Sequence, residues 1–149
     1  MSALPEGAAK PLNIARAADA CFADLQAYLE DNPHAEVPDD ILASLHMLYG
    51  KNFAKALEVV DGGGIVCFVG EQTGRRVYKV PGRRAGDTYI VFPAHYCACQ
   101  SFLFDVVGRG EAVACKHQLA ARLASVLGRT AVSRVPDYSI AHMLLEHCA

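Results

Sequence analysis

Twelve of the 149 residues are Cys or His, and four of these form one pattern: Cys97-Ala98-Cys99, fifteen residues, then Cys115-Lys116-His117. In an extended segment residues i and i+2 point to the same side, so Cys97 and Cys99 can offer two sulfurs to one point. Cys115 and His117 can do the same from a loop entering a helix, and fifteen residues are ample to bring the two pairs together. Three thiolates and one imidazole form a closed tetrahedral Cys₃His set, the donor set of structural zinc. One Zn²⁺ is the cofactor this implies. With no coordination position left open, catalysis by the metal is not expected. Lys116 and the first amides of the helix place positive potential beside the thiolates, which should lower their pKa. Ala120, one turn after His117 on the same face, is small enough for close packing beside the site.

Two other readings of the four residues are weaker. Buried thiols that cluster by accident seldom come as two tight pairs ended by His. A nucleophilic Cys/His pair would leave two cysteines unexplained, and no oxyanion-hole-like loop lies nearby. His95, two residues before Cys97 on the same strand face, reads as a residue behind the ligands or on the surface, with service as a substitute ligand the weaker alternative. Cys21 and Cys67 occupy apolar periodic positions and read as core thiols, whereas His142, His147 and Cys148 belong to an exposed terminal helix. His34 and His46 have no recognisable context.

These residues must be positioned by the elements around them. Residues 1–12 contain two prolines and little periodicity and read as a mobile tail. Ile14, Ala18, Cys21, Leu25, Tyr28 and Leu29 then recur at helical spacing until Asn32-Pro33. Pro38 at a first helical position, with Asp39 and Asp40 behind it, opens a helix that buries Ile41, Leu42, Leu45, Leu48 and Tyr49 and is capped by Gly50. A third helix carries Phe53, Leu57 and Val60, with Asn52 as N-cap, and stops at the glycines 62–64. Three strands follow, Ile65–Val69, Arg75–Val80 and Thr88–Phe92, separated by Gly/Pro turns. Cys97–Val107 mixes a strand end with a short helical piece. Cys115–Leu127 is helical with Gly128 past its end, and a last helix covers Tyr138–His147.

The result is an α+β chain: N-terminal helices, a small antiparallel β-sheet, a ββα-like finger and a C-terminal helix. It divides into an N-terminal extension (1–34), a helical segment (35–64) and a β-hairpin and finger region (65–149), the finger itself spanning about 86–124.

Charge differs between the halves. Residues 1–64 carry four basic and ten acidic side chains, and residues 65–149 carry ten basic and six acidic. A net charge of −2 excludes a uniformly basic nucleic-acid coat, so any such contact must be local. Arg75, Arg76, Lys79, Arg83 and Arg84 lie close together, with Tyr78 available to stack on a base, and read either as a nucleic-acid contact or as a solvated hairpin. No secretory signal is visible, which argues against disulfides. The longest strongly apolar run, Ile65–Val69, is far short of the roughly 20 residues that span a bilayer, so a soluble intracellular protein is expected.

The pattern Cys-x-Cys, a gap, then Cys-x-His-x-x-Ala, here Cys97, Cys99, Cys115, His117 and Ala120, resembles the SWIM zinc finger. The flanks narrow the likeness. Val37-Pro38-Asp39-Asp40-Ile41-Leu42-Ala43-Ser44-Leu45, Gly74-Arg75-Arg76-Val77-Tyr78-Lys79-Val80, His95-Tyr96-Cys97-Ala98-Cys99 and Cys115-Lys116-His117-Gln118-Leu119-Ala120 together resemble the SWIM-type zinc finger proteins of the Shu complex (the zinc finger SWIM domain-containing protein seven family). The likeness covers roughly residues 35–145.

That resemblance implies a nuclear, non-enzymatic accessory factor of homologous recombination. Such a factor pairs with a RecA-like recombinase paralogue and promotes filament assembly on single-stranded DNA. Two other functions fit the residues: a stand-alone single-stranded nucleic-acid binder, and a substrate-recognition or ligase-associated SWIM module. No RING-like or kinase motif accompanies the finger.

Overall fold

A computed structural model of the chain describes residues 6–93, 96–99, 102–108 and 114–148. Three helices come first, α1 (Glu6–Asp31), α2 (Asp39–Tyr49) and α3 (Lys51–Gly62). Four strands follow, β1 (Val66–Gly70), β2 (Arg76–Pro81), β3 (Thr88–Phe92) and the two-residue β4 (Tyr96–Cys97), then a π-type turn over Phe102–Gly108. Helix α4 (Lys116–Val126), strand β5 (Ala131–Val135) and helix α5 (Asp137–Cys148) complete the chain. The sheet order is β4-β3-β2-β1-β5. β1 to β4 pair antiparallel as expected, but Ala131–Val135 adds a fifth strand parallel to β1, with Val66 opposite Ala131 and Gly70 opposite Val135. The sheet is therefore mixed.

Helices cover both faces of this sheet. On one side Phe22, Leu25, Leu45, Phe53, Val60, Leu119 and Leu123 pack on Cys67, Tyr78, Val80 and Val91. On the other, Ile140 of α5 packs on Val77 and Ile90, flanked by Phe68 and Phe92. Because both faces are covered, consecutive residues of β2 are buried in opposite directions, as Val77 and Tyr78 show.

The N-terminal region differs from expectation. α1 starts at Glu6, so residues 6–12, expected as tail, belong to the helix, with Pro11 in its second turn. The alanine-rich sequence favours helix enough to tolerate one missing backbone bond there. Ala18, Phe22 and Leu25 of α1 are fully buried, and Cys21 and Leu29 pack at their margin. Arg122 of α4 ties this helix down: its guanidinium lies 4.2 Å from the Phe22 ring centroid and bonds Asp19 at 2.8 Å.

Two caps also move by a residue or two. Pro38 is the N-cap of α2 rather than its first helical residue, its carbonyl accepting from the Ile41 and Leu42 amides. Gly50 at φ +63° caps α3, a conformation glycine adopts without a steric penalty, and Asn52 is freed for another role. Among the described residues no helix is long and apolar enough to cross a membrane.

Candidate metal centre

The four predicted ligands converge. Their donor atoms all lie within 4.8 Å of one another, and all four side chains are buried. A tetrahedral zinc with sulfur and nitrogen ligands needs donor-to-donor edges of about 3.5–3.8 Å. Cys97 Sγ and His117 Nδ1 already stand 3.8 Å apart.

Local structure explains how each donor arrives. Cys97 is opposite Val91 in the β3–β4 ladder and so shares its face, the one under α4. The next amide, Ala98 N–H, donates to the Ile90 carbonyl at 3.3 Å, which keeps Cys99 beside Cys97. Cys99 Sγ accepts the Phe102 amide at 3.3 Å, the entry to the π-type turn. Cys115 is the N-cap of α4, in extended conformation, and His117 is that helix's second residue. Hairpin and helix start thus contribute two ligands each, the ββα-like arrangement expected.

Three residues whose roles sequence reasoning missed hold this geometry. Gln118 Oε1 accepts the Cys115 amide at 3.0 Å, while the Cys115 sulfur accepts the Gln118 amide. This is a capping box with sulfur in place of the usual hydroxyl, and the spacing Cys115-x-x-Gln118 carried its signal. Asn52 reaches from α3 to donate to the Ala114 carbonyl at 3.2 Å, fixing the residue before Cys115. Tyr89 lies against the His117 imidazole, ring centroids 4.5 Å apart. Ala120 has no exposed surface and belongs to the main core.

Positive potential does not lower all three thiols. Hydrogen bonds shared with Cys115 and then Cys99, together with burial, push the Cys97 thiol up. Bonds from Cys115 and Cys97 hold Cys99 well below the ordinary thiol range. At Cys115 the bond with Cys97 lowers the pKa, but Cys99 and burial outweigh it and the thiol is pushed up to about 12. Three sulfurs this close resist carrying three negative charges, so they share protons. A divalent cation at their centre supplies the charge that lets all three ionise, which is why the donor set fits zinc.

Relatives named for a SWIM zinc finger point the same way. A protein of Danio rerio named zinc finger SWIM domain-containing protein 7 is 36% identical over 110 residues, covering 73% of this chain and 77% of its own. Proteins of the same name from Homo sapiens and Mus musculus are 34% and 32% identical, covering 74% and 84% of this chain and 79% and 80% of their own. The chain belongs to the zinc finger SWIM domain-containing protein 7 family. No family model matches it, and no solved structure does. In this SWIM protein the Cys97, Cys99, Cys115 and His117 cluster is a zinc site.

The basic cluster is not one surface. Tyr78 is only 6% exposed, its hydroxyl 3.2 Å from Ser125 Oγ of α4, so its ring is not presented for stacking on a base. Lys79 points to the opposite face, its Nζ 5.6 Å from the Phe68 ring centroid under α5. Arg76 shares the side of Tyr78, whereas Arg75 precedes β2 and Arg83 and Arg84 occupy the exposed β2–β3 turn. His95 lies outside the described residues, as do the side chains of His147 and Cys148. His34, His46 and His142 are exposed, and Cys67 is buried as expected.

Proposed function

We propose that this chain is a non-enzymatic, nuclear accessory factor of homologous recombination. In this reading it is a zinc-stabilised scaffold that pairs with a RecA-like recombinase paralogue and promotes recombinase filament assembly on single-stranded DNA. The observation that supports it is the buried, fully subscribed ligand set in a chain of the zinc finger SWIM domain-containing protein 7 family. Four protein donors give the metal a structural role and leave the surfaces to do the work.

The test is purification of the chain from its own cell with whatever accompanies it, followed by zinc measurement and identification of the companion. The expected result is about one zinc per chain and a RecA-like ATPase. A companion of ligase type, or none, would overturn it. The exposed Arg83 and Arg84 favour a second reading, direct single-strand binding. Replacing both by Glu should then reduce oligonucleotide affinity and its salt dependence in the absence of any partner.

A further inference from the structure

A groove of about 950 Å³ runs between the end of α1, the segment leading into α2, the C-terminal end of α3 and the turn after α4, and none of the four metal ligands lines it. Its floor is apolar, formed by Leu29, Val37, Leu42, Leu57 and Leu127, each half-buried. Its rim is acidic. Glu30, Glu36 and Asp39 are exposed there without a cationic partner among the described residues. Asp61 is bonded to Arg129 at 3.3 Å, which leaves Arg76 as the groove's uncommitted cation.

This combination selects its occupant. Three unneutralised carboxylates against one guanidinium repel a phosphodiester backbone, so nucleic acid does not fit. At the upper end of the roughly 300–1,000 Å³ of small-molecule sites, and flanked by separate elements along its length, the groove suits a length of polypeptide. Apolar side chains would enter the floor, and lysine or arginine would meet the rim. We propose that the RecA-like partner docks here through a segment of apolar residues flanked by basic ones. The inference rests on the function proposed above and adds the place and the chemistry of contact.

The experiment measures affinity between the full chain and its co-purified partner over a range of salt concentrations. Glu30→Lys combined with Glu36→Lys should weaken binding at least tenfold and flatten its salt dependence. Arg76→Glu should act oppositely, tightening binding several-fold and steepening its loss with salt. That separates charge complementarity from damage to the fold. Asp24→Lys with Glu71→Lys, equal in charge but outside the groove, should change affinity less than twofold.

Equal weakening by the control pair, or weaker binding of Arg76→Glu, would overturn the proposal. So would a dimer of the chain alone that the groove reversal dissolves, since the occupant would then be a second copy. A captured RecA-like partner indifferent to all groove charges removes the groove and leaves the function standing. Absence of any RecA-like companion removes both.

Discussion

In α2 and α3 the side chains that reach the core, Leu45, Phe53, Ala56 and Val60, are apolar and recur at helical spacing, so water exclusion alone places them. The segment from β4 to the start of α4 is built differently. Among its described residues the regular structure is a two-residue strand and one irregular turn, and the buried groups include three cysteines and a histidine. Stability in the first region is spread over many small contributions, whereas in the second it is concentrated at one point. The two should therefore fail in different ways.

The largest effect should come from the metal. Zinc binding contributes on the order of 10 kcal/mol in small structural sites. Chelation, Cys97→Ala or His117→Ala should remove the zinc and abolish hydrogen-exchange protection at 96–99 and in the first turn of α4. A His117→Ala chain that kept about one zinc and its protection would break the contrast.

Leu45→Ala is the matching test in the helical region. Leu45 has no exposed surface, and its truncation should cost about 2–5 kcal/mol in denaturant unfolding with zinc content unchanged. Asn52→Ala probes the seam between the regions. Losing its bond to the Ala114 carbonyl should cost about 1 kcal/mol and, unlike Leu45→Ala, speed zinc release to a competing chelator.

The smallest effect is at the far end of the sheet. Asp137 accepts from the Gln72 and Thr73 amides and from the Thr73 hydroxyl, joining α5 to the β1–β2 turn, and the Thr73 bond above all holds its carboxyl below the ordinary 3.8. The charged form is the one stabilised in the fold. Its contribution is complete above pH 3.8 and disappears as pH falls below that value through the lowered pKa. Asp137→Asn should lower the melting temperature slightly at neutral pH and flatten the acid limb of the profile, the two proteins converging at low pH.

The metal site was legible in the sequence because its chemistry demands particular residue types at particular spacings. Strands β1 to β3 were legible because Gly and Pro punctuate short β-branched runs. β5 was not. Ala131, Val132 and Arg134 are all exposed, so Ala131–Val135 has no buried alternating face to announce it, and it pairs with a strand far away in the chain. Tyr78 misled for a related reason: period-two reasoning assumes one solvated face, and here helices lie on both. Asn52 looked like a cap because its type favours caps, but Gly50 already served there and released it for a contact no local pattern encodes.

The parallel pairing of β1 with β5 also carries a temporal consequence. β2 reaches β1 through a short turn, but the strand on its other side ends roughly 65 residues later, Gly70 standing opposite Val135. At roughly 5–20 residues per second, a ribosome needs about 3–13 s to make that stretch. During that interval the nascent sheet has one unsealed margin, along β1. All four metal ligands lie within that stretch, so they leave the ribosome ahead of the strand that completes the sheet.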